Sequence, residues 1–132
     1  MSAASKYFYA VGRRKTAVAQ VRLHLEAGQS FINGKAFDQY VGRSDLFATL
    51  FAPIKLASLQ DKARFEVKVE GGGESAQVEA IRHGLSRALV LASADLKMVL
   101  RGAGFLTRDS RIVERKKPGL HKARKASQWS KR

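Results

Sequence analysis

The stretch that decides the fold is residues 64–92, RFEVKVEGGGESAQVEAIRHGLSRALVLA. Residues 64–70 alternate apolar and charged side chains, the pattern of a β-strand with one buried and one solvated face. After three glycines, residues 75–92 place apolar side chains near one stripe of a long amphipathic helix. A strand followed by such a helix predicts an α+β fold, in which the helix covers one face of a sheet.

Further strands are predicted on the N-terminal side of this unit. Residues 7–11 have the composition of a strand, and residues 17–25 alternate with a period of two. Residues 30–32 form a third, short candidate, closed by the tight-turn pair Asn33-Gly34. We expect these three strands to form an antiparallel meander.

Shorter helical patterns flank the central unit. They cover residues 36–40, 44–51 and 93–100. Ser44 and Ser93 are the expected N-caps, and Pro53 is expected to end the second helix. The predicted fold is therefore a small two-layer α+β sandwich, with one mainly antiparallel sheet, helices on one face and a long extended basic C-terminal tail.

The amino-acid composition limits the classes of function that this protein can have. The 132 residues are 45% hydrophobic, enough for one small core, and carry a net charge of +14 that favours polyanionic partners. The absence of Cys excludes disulfides and thiol nucleophiles and fits a reducing compartment. Charged residues interrupt every apolar run, which excludes a membrane-spanning helix. The N-terminus lacks a signal-peptide pattern, so we expect a cytoplasmic protein.

The charge is concentrated at the C-terminus. Residues 108–132 hold ten Lys and Arg against two acids, whereas residues 1–107 hold 15 against nine. Too few large apolar residues follow residue 115 for a separate core. A solvated tail is the simple interpretation, but the run is long and of one sign. We therefore expect a globular RNA-binding body, residues 1–107, and an extended arm, residues 108–132, ordered on nucleic acid.

Two basic groups in the body are candidates for the same role. Gly12–Thr16 offers three consecutive cations on a predicted turn, and arginine suits bidentate contact with phosphate and stacking on bases. Arg82, His83 and Arg87 lie on one helix, either as a solvated face or as a surface facing nucleic acid. Gly84 weakens that helix, which a close approach by another group would explain.

Catalytic and metal sites are not indicated. No nucleophile elbow is present, and neither His24 nor His121 has the spacing of a metal ligand. His83 could pair with Glu79, four residues before it, but no nucleophile accompanies them. The glycine triplet 71–73 lacks nucleotide-binding patterns, which leaves a structural turn or a cradle for an RNA phosphate. We expect no enzymatic activity, no cofactor and no metal.

Several motifs, taken in chain order, resemble the bacterial small-subunit ribosomal protein S-nine family. The arm contains Leu-Thr-Arg-Asp at 106–109, Glu-Arg-Lys-Lys-Pro-Gly at 114–119 and a closing Ser-Lys-Arg. The body adds Gly-Arg-Arg-Lys-Thr at 12–16, Ile-Asn-Gly at 32–34, the triplet 71–73 and Ala-Ile-Arg-His-Gly at 80–84. Glu74, Val78 and Trp129 depart modestly from the family pattern.

This resemblance implies a structural protein of the small-subunit head, without enzymatic activity, in contact with neighbouring head proteins. The residues then expected to bind ribosomal RNA are Arg13, Arg14, Lys15, Arg82, His83, Arg87, Arg108, Arg111, Arg115, Lys116, Lys117, Lys122, Arg124 and Lys125. Ser130, Lys131 and Arg132 match the positions that reach peptidyl-site transfer RNA in the family.

Three alternatives remain at this point. A free-standing nucleic-acid binder would share the composition, although such proteins usually present cations on a folded surface or in repeats. A nucleotide-processing enzyme would need a catalytic cluster that the sequence lacks. A membrane-active polycation would need an apolar helical face in its tail.

Overall fold

A computed structural model describes residues 7–111 and Pro118. The strands are β1 (Phe8–Arg14), β2 (Ala17–His24), β3 (Phe31–Ile32), β4 (Lys35–Ala36) and β5 (Arg64–Glu70). The helices are α1 (Phe37–Tyr40), α2 (Leu46–Leu56), α3 (Glu74–Ala92) and α4 (Leu96–Gly102). The predicted α+β class is confirmed, and the bounds of β5 are those expected from the sequence.

The five strands form one mixed sheet in the order β1-β2-β5-β3-β4. The first pair of the predicted N-terminal meander, β1 with β2, forms as expected, but the placement of β3 is wrong: β2 pairs next with β5, and β3 lies on the far side of β5 and parallel to it. The reason is length, because β5 offers β2 a seven-residue ladder from His24↔Arg64 to Val18↔Glu70, whereas β3 has only two residues. The β3–β4 hairpin turns at Asn33 and Gly34, both with positive φ, as the sequence predicts.

The core lies between this sheet and α3. Helix α3 packs across β1, β2 and β5. The buried strand residues include Ala19, Val21, Leu23 and Phe65, and the buried stripe of α3 includes Ala76, Ala80, Ile81, Leu85, Ala88 and Leu89. Helix α2 packs beside α3, and its Phe51 ring lies 5.6 Å from that of Phe65, between ring centroids. Across residues 7–111, no helix is long and apolar enough to cross a membrane.

Helix α3 approaches β1 closely because glycines face each other there. A Cβ atom on Gly12 would lie 1.9 Å from the carbonyl oxygen of Ala80 and 2.2 Å from the amide nitrogen of Gly84. A Cβ on Gly84 would lie 2.6 Å from a methyl group of Val21. The close approach expected from the glycine within the helix is therefore confirmed, and the approaching group is the backbone of β1.

Two details of the helix ends differ from the sequence prediction. Pro53 does not end α2, which continues to Leu56 because Pro53 and Ile54 are buried against the core and tertiary packing stabilises the last turn. Ser44 and Ser93 are not the N-caps: the aspartates preceding α2 and α4 hold those positions without side-chain cap bonds. A backbone bond across a tight turn leads into each helix instead.

Candidate nucleic-acid interface

The basic motif of β1 has a different geometry from the predicted turn. Arg13 and Arg14 belong to β1, because its pairing with β2 continues to Arg14↔Ala17, and only Lys15 lies in the turn, with a φ of 53°. Successive strand residues point to opposite faces. Arg13 and Lys15 are therefore exposed, whereas Arg14 is buried on the face that α3 covers.

Arg14 joins β1 and α3 to Asp109 and Arg111, which lie at the start of the predicted arm. Its Nε donates a hydrogen bond to Glu79 of α3, and its Nη1 donates to the carbonyl oxygen of Arg111 at 2.7 Å. The same Nη1 lies 3.4 Å from Asp109 Oδ1. We call Arg14, Glu79, Asp109 and Arg111 the arm anchor. Since only 10% of the Arg14 side chain is exposed, this guanidinium is occupied inside the protein.

Asp109 and Arg111 close a local turn within the anchor. The backbone N–H of Arg111 donates to Asp109 Oδ1 at 2.9 Å, and its Nη2 donates to Asp109 Oδ2 at 2.7 Å. These hydrogen bonds hold the pKa of Asp109 well below its usual range and raise the pKa of Arg111. The carboxylate is therefore charged at neutral pH, and the direction of the chain at residue 111 is fixed relative to Arg14.

His83 connects β1 to the same segment at a second point. The backbone N–H of Arg13 donates to His83 Nδ1 at 3.3 Å. Because Nδ1 accepts, the ring proton lies on Nε2, which donates to the carbonyl oxygen of Leu106 at 3.3 Å. The pair with Glu79 considered from the sequence does not form, since Glu79 is engaged by Arg14.

Arg82, Arg87 and Arg108 place positive charges near this histidine, and Arg13 contacts it through the backbone. Burial is the main cause of a lowered pKa at His83, and the nearby charges of Arg87, Arg108 and Arg82 lower it further. The Arg82 guanidinium lies 5.3 Å from the centroid of the Phe105 ring, and Arg87 donates to the Val11 carbonyl at 2.6 Å. We call Arg13, Arg82, Arg87 and Arg108, together with His83, the basic cluster.

The neutral state of His83 predicts a dependence of stability on pH. Its pKa is below the ordinary value near 6.5, so its contribution is complete above about pH 6.5 and is lost as the pH falls toward the lowered folded-state pKa. We expect the urea midpoint of the protein to fall between pH 7.5 and pH 5.5. His83→Asn keeps an acceptor for the Arg13 amide without titrating, so its midpoint falls less. An equal fall in both proteins would contradict this role.

The glycine triplet forms the turn from β5 into α3. Gly71 and Gly72 have φ values of 81° and 65°, and a Cβ on Gly71 would lie 2.4 Å from the carbonyl oxygen of Thr16. Gln77 closes the turn by donating from Nε2 to the Gly71 carbonyl at 3.0 Å. The structural interpretation of the triplet is confirmed, and its contact with an RNA phosphate stays a prediction.

The structure thus brings several predicted binding residues together. Arg13, Arg82, His83, Arg87 and Arg108 share the basic cluster, Lys15 lies on the adjoining turn, and Arg14 and Arg111 belong to the arm anchor. Predictions for Arg115, Lys116, Lys117, Lys122, Arg124, Lys125, Ser130, Lys131 and Arg132 lie outside the described residues. Sequence reasoning missed the partnership of Glu79 and Asp109 with Arg14. Within residues 7–111, no group of three metal-ligating side chains occurs.

Comparison with known proteins identifies the family. The family model described as Ribosomal protein S9/S16 matches residues 12–132. The chain is 49% identical over 127 residues to the small ribosomal subunit protein uS9 of Desulfovibrio desulfuricans (strain ATCC 27774 / DSM 6949 / MB). That alignment covers 96% of this chain and 98% of the relative. The resemblance and the expected location on the cytoplasmic ribosome are confirmed. The chain therefore belongs to the ribosomal protein S9/S16 family, as a structural, non-enzymatic protein of the small ribosomal subunit.

Proposed function

We propose that the protein binds ribosomal RNA of the small subunit through its body, residues 1–107, and through an extended arm, residues 108–132. In this proposal the last three residues, Ser130, Lys131 and Arg132, contact peptidyl-site transfer RNA. Neighbouring proteins of the small-subunit head pack against the body.

The arm anchor is the observation that carries this proposal. The anchor places the start of the arm beside the basic cluster. The exposed cations of β1 and α3 therefore adjoin the most basic segment of the chain. The two acids at this junction, Glu79 and Asp109, are engaged by Arg14 and Arg111. Neither therefore presents a free negative charge to an approaching phosphate.

Arg14 has an indirect role in this proposal, although the sequence places it among the RNA-binding residues. Its guanidinium holds the start of the arm, while Arg13, Lys15, Arg82, Arg87 and Arg108 supply phosphate contacts around it. The His83 ring bridges β1 and Leu106, so His83 contributes to RNA binding by holding these two segments together.

The positive charge of the arm suits a nucleic acid that is recognised through its phosphate backbone. From residue 112 onward the chain holds eight Lys and Arg and a single acid, Glu114. Cations that bind phosphates release counterions and stabilise the complex without reading base sequence. A contact of this kind at the C-terminal residues can serve every transfer RNA.

The proposal is tested by removing cations from the arm and, in a matched variant, from the body. Neutralising Arg115, Lys116 and Lys117 to Gln should lower the steepness of the salt dependence of RNA binding by roughly two to three units, since each lost phosphate contact contributes about 0.7 to 0.9. In sucrose gradients at raised salt, we expect this variant to leave the small-subunit fraction at lower salt than the unmodified protein.

The control removes three exposed lysines that belong neither to the basic cluster nor to the arm, as Lys55→Gln, Lys62→Gln and Lys97→Gln. Equal salt dependence of the two triple variants would contradict binding through the arm.

The proposed contact with transfer RNA is tested separately. Deletion of Lys131 and Arg132 should modestly weaken transfer-RNA binding at the peptidyl site of assembled subunits. Unchanged affinity in those subunits would contradict the transfer-RNA contact alone.

A further inference from the structure

The sheet face opposite α3, which we call the open face, carries side chains that the proposed function does not use. The register places Tyr9, Arg22, Glu66 and Phe31 in one row across four strands. The next row contains Val11, Gln20 and Lys68. Arg22, Gln20, Lys68 and the Phe31 ring are exposed, with 37% of Phe31 accessible.

A concavity of about 670 Å³ lies on this face, within the size range of small-molecule pockets. Its lining includes Gln20, Arg22, Phe31, Asn33, Glu66 and Lys68. The Asn33 amide is already used, because it accepts from the Val69 N–H at 2.8 Å and donates to the Val69 carbonyl at 2.9 Å. It forms a fixed wall, whereas the Gln20 amide makes no hydrogen bond within residues 7–111.

The charges of the concavity favour an anionic ligand. Glu66 accepts from Arg64 Nη1 at 2.9 Å, and the same guanidinium donates to Glu26 at 2.6 Å, so Arg64 offsets part of the charge of each carboxylate. Arg22 and Lys68 form no ion pair among the described residues, and the Arg22 guanidinium lies 5.5 Å from the centroid of the Tyr7 ring. Two uncompensated cations therefore flank an exposed aromatic ring and a free amide.

We propose that the open face binds an unpaired nucleotide of RNA. The base stacks on Phe31, its polar edge meets the Gln20 amide, and Arg22 and Lys68 hold the adjacent phosphates. Unpaired bases bind by stacking on aromatic side chains combined with cations along the backbone, which is the chemistry assembled here. This inference rests on the proposed binding of ribosomal RNA and adds a contact that is separate from the arm.

The test uses the full chain, isotopically labelled for NMR, and hexaadenylate RNA as the unpaired probe. We expect the probe to shift the Phe31 ring and Gln20 amide resonances in a saturable way. Gln20→Glu places a carboxylate among the bound phosphates and raises the half-saturating concentration at Phe31 about tenfold. Phe31→Leu removes the stacking surface and weakens binding at the Gln20 amide by a similar factor of about ten.

Gln60→Glu is the matched control, because it makes the same charge change at an exposed position outside the sheet. We expect it to change the half-saturating concentration less than twofold. Resonances that move in the arm but not at Phe31 or Gln20 would overturn the open-face proposal and leave binding through the arm standing. A probe that moves only the open face would support this proposal and contradict the arm.

A protein partner on the same face gives a different result. In that case hexaadenylate would leave Phe31 and Gln20 unmoved, and Gln20→Glu would reduce incorporation into reconstituted subunits while Gln60→Glu would not. That combination also overturns the nucleotide proposal.

Discussion

Replacing Gly12 with alanine is expected to destabilise the protein by more than about 3 kcal/mol, a large part of the stability of a small domain. The new methyl group would lie 1.9 Å from the Ala80 carbonyl oxygen and 2.2 Å from the Gly84 amide nitrogen. Both atoms belong to the backbone of α3, so no side-chain rotation relieves the overlap. The helix must move away from β1, and the packing of the whole core changes with it.

Urea unfolding of the full chain measures this effect. Gly102→Ala is the matched control, because a Cβ at that position in α4 meets nothing within 4 Å. The control should be neutral or gain up to about 1 kcal/mol, since alanine favours helix more than glycine does. If Gly12→Ala and Gly102→Ala unfolded at the same urea concentration, the close contact between β1 and α3 would be refuted.

Arg14→Met should cost about 2 to 3 kcal/mol and also loosen the start of the arm. The substitution leaves Glu79 without its cation and the Arg111 carbonyl without its donor. We expect amide hydrogen exchange to rise across residues 106–111, the segment that the arm anchor holds. Glu79→Gln keeps an acceptor for Arg14, so its effect should be smaller, at less than about 1 kcal/mol.

The double variant Arg14→Met, Glu79→Met separates stability from anchoring. It removes both members of the ion pair, and apolar replacement of such a pair is often neutral or stabilising. We expect it to regain much of the lost stability, whereas exchange at residues 106–111 stays fast because the donor to Arg111 is still missing. Slow exchange at these residues in either Arg14 variant would show that Arg14 does not hold the arm.

The long periodic elements were predictable, and their partners were not. The alternation in β5 and the apolar stripe of α3 each extend far enough to specify one buried face. Strand β3 has two residues and carries no pairing pattern, so its position in the sequence suggested β2 as a partner, whereas it pairs with β5 and β4. Pairing is a property of the whole sheet, and adjacency along the chain is a weak guide to it.

The candidate site shows a similar division. The surplus of cations and the motif at residues 12–16 were visible in the sequence. Gly12 suggested that β1 ended early, which hid the burial of Arg14. The sequence signal for the burial of Arg14 was the two-residue spacing of Ala10, Gly12 and Arg14. In a strand, this spacing places all three residues on the same face, which here is the buried face beneath α3. The acids that meet Arg14 come from 65 and 95 positions away along the chain, a distance that local patterns do not span.

The central position of β5 has a consequence for synthesis of the chain. Translation produces β5 about 40 residues after β2 ends, although β5 covers the free edge of β2. At roughly 5 to 20 residues per second, the nascent β1–β2 hairpin waits about 2 to 8 s with that edge unpaired. Unpaired edges beside apolar faces attract other chains. The nascent β1–β2 hairpin, more than the folded protein, is therefore the species that a chaperone has to protect.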